Sequence, residues 1–283
     1  MKNNVASCNC SRLISYLNDA RAQEILKKLD EGTYSKFFAD RDRILERMFR
    51  ASSNADFDAV YLKCTVLNDF YSTRIPSDEL AKIAKKIVKN HAQIDAWLAA
   101  GADDIIEAIC SYGSRSNYSF ATKYANWHNH LDFPIYDSFV HELLCCLRQC
   151  AMPDLFPSNK SLKKYGCLRA VLKKVVDQYN LTFCKDANGI DMINYKLLDK
   201  FLWALSNFVV FSTPKSEFII GNYKIIGYKN GSVRIFEGDE IVENTLGTLR
   251  VIANMVNFQY DQKWNTRHFG HKLLDYLQKE SKK

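Results

Sequence analysis

The sequence predicts a mainly α-helical protein: a helical domain over residues 1–208, then a small α+β module over residues 217–283. Three observations carry that prediction. From residue 11 to about 207, apolar residues recur at the 3.6-residue spacing of amphipathic helices. The breaks carry helix punctuation: Gly32, Pro76 before Ser77, Gly101, Gly113, Pro134, Pro153 with Pro157, and Asn188-Gly189. After Pro214 the run EFIIGNYKIIGYKNGSVRIFEGDEIVE turns to alternating and β-branched patches around Lys229-Asn230-Gly231, a turn signal between strands.

The first helices are expected near 11–30 and 34–51, on either side of Gly32, with a third near 57–73. A fourth, near 77–90, opens at Ser77 and carries Lys82, Lys85, Lys86 and Lys89 at helical spacing. That stripe reads either as a solvated face or as a face for phosphates. Gly101 separates helices near 92–99 and 103–111, and a tight turn from Tyr112 to Ser116 leads into one near 117–129. An extended stretch, FPIYD, precedes the amphipathic run near 138–150. Helices near 160–178 and 189–207 complete the domain, with a boundary near 209–216. The module then holds a β-hairpin and two helices, near 244–257 and 265–280. No internal repeat of fixed period is visible.

The bulk numbers narrow the class. With 283 residues there is enough chain for a full core and two domains. Apolar residues make up 47% and charged residues 25%, with 5 Pro and 11 Gly and no low-complexity tract, a balance that argues for a folded, soluble protein. The longest apolar run, FLWALSNFVVF, is too short for a membrane span, and MKNNVASCNCS lacks the apolar core of a signal peptide. The expectation is a cytoplasmic monomer with no membrane partner. Nine cysteines, an odd number, lie mostly within helical patterns and read as reduced core thiols. Cys145, Cys146, Cys150 and Cys167 make a poor iron–sulfur set, because adjacent helical cysteines point about 100° apart. His128-Asn129-His130 lacks a metal-site context. No metal or cofactor is called for. The formal charge of +7 points toward nucleic acid.

One constellation carries chemistry. In DDIIEAICSYGSRSNYSFATKYANWHNHLDFPIYDSFV, a short helix, a tight turn, a second helix and an extended lead-in end at Asp137, at the head of the next helix. Capping accounts for an aspartate there, since its carboxylate can accept backbone N–H bonds at the positive end of the helix. A turn between two helices also presents N-terminal amides to a DNA phosphate. In this order, the segment resembles the helix-hairpin-helix DNA glycosylases, especially their 8-oxoguanine-type branch. FPIYDSFV is similar to that family's proline–x–x–aspartate segment, SFATKYANW to its second hairpin helix, and VYLKCTVLNDFYSTRI to the helix and turn that enter DNA. The resemblance covers roughly residues 56–205.

It implies a DNA glycosylase that acts on double-stranded DNA, with residues 103–140 as hairpin and catalytic segment. A base in a duplex must be flipped out before its glycosidic bond can be cut. Asn68, Asp69, Phe70 and Tyr71 are candidates for the wedge and pocket edge, with Ser119 and Trp127 further along the pocket. Gly113, Ser114, Arg115 and Ser116, with Lys82 and Lys86, are candidates for phosphate contact. Bond cleavage builds positive charge on the sugar, and a carboxylate at Asp137 would stabilise it and orient water. Each residue also has a plain structural reading: core packing for Trp127, a helix C-terminus for 68–71, an exposed helix lysine for Lys123.

The chain departs from the family in two places. Its turn has Gly113 alone where the family has two glycines flanking one residue. The nucleophilic lysine of bifunctional members, about 18 or 19 residues before the aspartate, is replaced by Ser119 and Tyr118. Lys123 lies one helical turn past Ser119, on the same face, and is the nearest substitute. The reading is therefore a monofunctional hydrolase with Asp137-activated water, acting on a damaged base or on a modified base of invading phage DNA as a defence enzyme. The alternatives are a non-catalytic helix-hairpin-helix DNA-binding protein and a helical protein that does not bind DNA. Lys163, Lys164, Arg169, Lys173 and Lys174 would extend a DNA face or solvate a helix. Tyr195, Phe201 and Trp203 fall where related enzymes place pocket residues, and Trp264, Arg267 and His268 mark a module without assignable chemistry.

Overall fold

The computed structural model describes residues 10–18, 36–114, 116–181, 183–185, 188–189, 191–206, 214–228, 233–237, 240–242, 245–264 and 266–281. The chain divides into two compact units, Cys10–Ser206 and the described part of Asn207–Lys283.

The first unit is helical. Its α-helices are α1 (Cys10–Asn18), α2 (Lys36–Ala51), α3 (Phe57–Phe70), α4 (Ser77–Lys89), α5 (His91–Ala100), α6 (Asp104–Cys110), α7 (Tyr118–His128), α8 (Ser138–Cys150), α9 (Tyr165–Gln178) and α10 (Tyr195–Ala204). The expected helix at 11–30 is described as far as Asn18, and its remainder lies outside the described residues. Two expected helices are shorter or broken. The one at 57–73 stops at Phe70, where the backbone turns into a loop with Ser72 and Arg74 at φ of 49° and 57°. The one at 160–178 is divided by extended Lys164 into a 3-10 turn, Asn159–Lys163, and α9.

The sequence reading also missed a small hairpin. β1 (Cys184–Lys185) pairs antiparallel with β2 (Asp191–Met192), so the Asn188-Gly189 signal marks a turn between strands rather than a helix start. The helix begins later because the Asn194 side chain accepts the Lys196 and Leu197 amides, each at 3.0 Å, as an N-cap.

The core of this unit gathers around α7. Eight consecutive residues, Phe120 to Trp127, are buried, so the helix has no solvent face in that stretch. α7 packs against α2, α3 and α6, and its Phe120, Ala121, Tyr124 and Ala125 are almost inaccessible, as are Val60 and Leu67 of α3 and Ile106 of α6. A helix buried all round would ordinarily be apolar, yet α7 carries Thr122, Lys123 and Asn126 inside. Each finds partners, and those partners position the site.

The second unit is a four-stranded antiparallel meander, β3 (Pro214–Ile220), β4 (Tyr223–Tyr228), β5 (Val233–Glu237) and β6 (Glu240–Ile241), in that order, with α11 (Thr245–Met255) and α12 (Thr266–Glu280). The expected single hairpin is thus half of the sheet; the turn at Lys229-Asn230-Gly231 lies outside the described residues. The other tight turn falls at Gly221, whose φ of 56° is open to glycine, between the paired residues Ile220 and Tyr223. Ile225 and Ile235 meet Leu249, Ile252, Phe269 and Leu273 in a separate core, against which Trp264 packs. A Cβ at Gly270 would stand 2.7 Å from Val233, so a bare α-carbon lets α12 sit close to the sheet. Across the described residues, no helix is long and apolar enough to cross a membrane.

Candidate functional site

The segment leading to Asp137 is fixed on α7 by side chains of that helix. Asn126 donates to the Phe133 carbonyl at 2.7 Å, and the Thr122 hydroxyl receives the Tyr136 amide at 3.1 Å. From the other side, Tyr165 donates to the Pro134 carbonyl at 2.8 Å. This extended backbone places Asp137 at the N-cap of α8, where its Oδ1 accepts the Val140 amide at 2.9 Å. The other oxygen, Oδ2, lies 3.9 Å from the Lys123 ammonium, and the aspartate keeps 22% of its side-chain surface.

Lys123 is 2% exposed. Its Nζ donates to the Ser119 hydroxyl at 2.8 Å and to the Tyr136 carbonyl at 3.4 Å, and stands 5.2 Å from the Tyr71 ring centroid. Burial lowers its pKa from the ordinary lysine value; Asp137 and Asp199 oppose that shift, and Lys196 adds to it. The exposed helix lysine of the plain structural reading is therefore excluded.

These groups line a cleft of about 430 Å3. One wall is the 71–75 loop, another is the start of α7 from Ser116 to Lys123, and the third is Asp137, Ser138 and Phe139. The loop owes its shape to Asn68. That amide accepts the Ile75 N–H at 2.9 Å and the Thr73 hydroxyl at 2.6 Å, and donates to the Ile75 carbonyl at 3.2 Å.

Of the pocket and wedge candidates, Tyr71 and Ser119 line the cleft. Asn68 supports it from behind, and Phe70 lies under the Arg41 guanidinium, 5.1 Å from its ring centroid. Asp69 is exposed and outside the cleft lining. Trp127 is buried behind Tyr71, to whose hydroxyl its indole N–H donates at 3.1 Å. Ser116, expected in the phosphate-binding turn, sits at the cleft instead, its Oγ 3.0 Å from the Cys110 sulfur.

The turn itself leans on α4. The Ser114 amide donates to Glu79 at 2.8 Å, and Lys82 pairs with the same carboxylate at 2.7 Å. Lys86 lies over the Tyr112 ring at 5.7 Å. The basic stripe and the turn, which contains Gly113, therefore share one surface, while Lys82 is tied to Glu79 rather than standing alone. Arg115 lies outside the described residues. On the far side, Tyr118 donates to the Leu162 carbonyl at 3.3 Å, which brings the 3-10 turn with Lys160 and Lys163 to the start of α7.

Behind the cleft lies a charged cluster that sequence reasoning missed. Lys196 donates to the Tyr71 hydroxyl at 2.6 Å and stands 3.7 Å from Asp199 and 3.8 Å from Asp42, which Lys200 also meets at 2.5 Å. Burial raises the Tyr71 phenol to about 12, against the pull of Lys196. Burial also raises Asp199 to about 6, with Lys196 acting the other way. For Lys196 itself burial acts downward, and Tyr71, Asp42 and Asp199 outweigh it, so the ammonium is held above its usual range. The one signal in the sequence is the Lys196–Asp199 spacing of three on an apolar helix face. Of the pocket candidates of that helix, Tyr195 and Phe201 are core and Trp203 is part-buried, and none of the three lines the cleft.

Other candidates fall away from the cleft. His128 packs edge-on against Phe49 at 4.8 Å and His130 against Trp127 at 5.2 Å. Arg169 binds the Gly101 carbonyl and Asp103, and so ties α9 to the α5–α6 junction. Cys64, Cys110, Cys145 and Cys167 are free thiols, whereas Cys146 and Cys150 are disulfide-bonded, which corrects the expectation of reduced thiols throughout.

Together the fold and cleft define a helical protein with a helix–turn–helix–aspartate arrangement and an acid–amine pair in one recess. A family model named HI_0787_N and described as an N-terminal domain matches residues 21–132. An uncharacterized protein of Haemophilus influenzae is 30% identical over 154 residues, 53% of this chain and 66% of that protein. The chain thus spans just under two thirds of that relative's length. The family match includes the turn and Lys123 and ends before Asp137. No solved structure matches.

Proposed function

We propose that this protein is a DNA glycosylase that hydrolyses the N-glycosidic bond of a base turned out of the duplex into the cleft. The observation that carries the reading is the placement of Asp137 Oδ2 and Lys123 Nζ, 3.9 Å apart, in a cleft of about 430 Å3 beside a helix–turn–helix. In the reaction Asp137 orients a water and takes up its proton as oxygen bonds to the sugar's C1′, and the departing base keeps the electrons of the broken bond. The same carboxylate offsets the positive charge that grows on the sugar. Tyr71 and Phe139 supply aromatic surface for a planar ring, and the lysines of α4 and the 3-10 turn supply charge for phosphates. A monomer in the cytoplasm fits this role, with damaged bases or modified phage bases as substrates.

A second chemistry is favoured by one observation, the lowered pKa of buried Lys123. The deprotonated amine would bond to C1′ as the C1′–base bond breaks and the base leaves with its electrons; transfer of the nitrogen's remaining proton to O4′ as the C1′–O4′ bond opens would then leave an imine that permits strand cleavage.

The test incubates the wild-type protein and Asp137→Asn with duplexes bearing oxidised, deaminated or alkylated bases, and with modified phage DNA. Mass spectrometry detects a freed base, and strand breaks are scored before and after alkali. The expected result is release that falls by roughly a hundred-fold or more in Asp137→Asn, with breaks appearing after alkali. Breaks before alkali, with a borohydride-trapped adduct lost in Lys123→Met, would move the mechanism to the amine. Salt-sensitive DNA binding with no release from any substrate would replace the proposal with a non-catalytic DNA-binding protein.

A further inference from the structure

Two buried ammonium groups share the Tyr71 ring. Lys123 Nζ and Lys196 Nζ each stand 5.2 Å from its centroid, so they lie within twice that distance of one another. Their surroundings differ. Lys196 donates to the Tyr71 hydroxyl at 2.6 Å and has two carboxylates beside it, Asp199 at 3.7 Å from its own helix and Asp42 at 3.8 Å from α2. The oxygens that Lys123 donates to, those of Ser119 and Tyr136, are uncharged, and the carboxylate beside it, Asp137, is 3.9 Å away, beyond hydrogen-bond length.

Burial works against the Lys123 ammonium, and a carboxylate outside hydrogen-bond reach offsets that less than a bonded one would. A second negative charge acts on it, that of Asp199, while Lys196 acts against it. Asp199 in turn feels both Asp137 and Lys123, so these groups form one electrostatic unit across α7, α8 and α10. The charged groups around Asp199 are Lys196 on its own helix, Lys123 on α7, Asp137 on α8 and Asp42 on α2, with the Tyr71 phenol beside them. Asp42 meets Lys196 and Lys200, whereas the charges acting on Lys123 are those of Asp137, Asp199 and Lys196. The form of Lys123 decides what the cleft can do. An ammonium has no lone pair for C1′ and leaves the reaction to water; the amine has one.

We infer that Asp199 is a positioning residue of the proposed reaction: its carboxylate, in the cluster behind Tyr71, holds Lys123 as the ammonium and so keeps attack on C1′ with the water that Asp137 orients. The consequence for the reaction rests on the glycosylase reading of the cleft; the control of Lys123's charge does not. Asp199→Asn keeps the size and shape of the side chain and removes its charge, so the ammonium loses a favourable partner and gives up its proton at lower pH. Asp199→Glu keeps the charge and alters the shape, and should leave Lys123 as in the wild type. Asp42→Asn disturbs the same cluster through Lys196 and Lys200 without removing a charge that acts on Lys123.

The experiment titrates the full chain, with isotope-labelled lysine, across neutral and alkaline pH. The ε-carbon resonance of Lys123, assigned by its loss in Lys123→Met, is followed by NMR, so that neither DNA binding nor catalysis is required. The expected result is an unprotonated fraction of Lys123 at neutral pH that rises on the order of ten-fold in Asp199→Asn. In Asp199→Glu and Asp42→Asn it should stay within about two-fold of the wild type. A fraction unchanged in Asp199→Asn, or raised equally in Asp199→Glu or Asp42→Asn, would overturn the inference, the second because packing rather than charge would then be at work. The consequence is read on duplex DNA bearing an abasic site, where borohydride trapping should rise in Asp199→Asn and vanish when Lys123→Met is added. Trapping that stays level in a protein that releases bases and whose Lys123 titration has moved would overturn the link to the water reaction. Failure of the glycosylase reading shows separately, as absence of base release from any DNA by a protein in which Asp199→Asn still moves the Lys123 titration.

Discussion

Asn68 closes three hydrogen bonds around the 71–75 loop from one amide, and that loop carries Ser72 and Arg74 in the left-handed region that non-glycine residues avoid. Removing the amide should cost about 1–3 kcal/mol, because the Ile75 amide and the Thr73 hydroxyl lose their acceptor. Asn68→Asp keeps both acceptor bonds and loses only the donor to Ile75, so its midpoint in chemical denaturation should fall between those of wild type and Asn68→Ala. Equal losses in the two variants would show that the acceptor bonds contribute nothing. The residue type alone does not disclose this role. Asn68 stands near a helix end in NDFYST, where a wedge and a staple look alike; which it is depends on φ values seven residues wide that no glycine announces. The capping role of Asp137 was easier to read, since a carboxylate after proline and before an apolar helical run marks a helix start.

At the level of elements, helical periodicity located nearly every helix of the first unit, because 3.6-residue spacing is a local property of the chain. It failed where local pattern and geometry part. NKSLK is compatible with the rhythm of α9 but winds as a 3-10 turn, and Asn188-Gly189 breaks a helix or joins two strands with equal ease. The cysteines of α8 show a different gap. Cys146 and Cys150 sit one turn apart in an apolar pattern that looks like core, and disulfide bonding is decided by the distance and direction of a second thiol, which helical periodicity does not carry. Alkylation of the denatured, unreduced protein should label Cys64, Cys110, Cys145 and Cys167 and spare Cys146 and Cys150; after reduction, all six should label. Labelling of Cys146 and Cys150 without reductant would remove the disulfide assignment.

For the molecule as a whole, the buried polar groups of the helical unit make stability depend on pH. His128 is the clearest case: burial, with a smaller push from Lys63, lowers it from 6.5 to about 3. The unfolded chain therefore takes up a proton at this position below about pH 6.5 that the folded chain refuses until about pH 3. The stability this group contributes is fully present above pH 6.5 and is lost as pH falls toward 3, by at most about 1.4 kcal/mol per pH unit. His128→Phe, which keeps an aromatic ring between Phe49 and Tyr124, should flatten the acid side of the stability curve measured by denaturant titration at several pH values. An unchanged slope would place the acid sensitivity elsewhere. This whole-molecule property lies beyond sequence reading, as does the cluster behind Tyr71: Lys196 is 125 residues away from its tyrosine, and only the packed unit brings them to 2.6 Å.

The two oxygens of Asp137 divide their labour, one closing the start of α8 and the other facing Lys123. Folding alone would accept serine, threonine or asparagine at that position, since all can cap a helix. Chemistry on a sugar cation accepts only a carboxylate. Among relatives of this chain, the residue found at this position therefore tests the proposal: exchange among the four capping residues would show that capping alone is in demand, while strict aspartate would fit a use for the second oxygen in the proposed reaction.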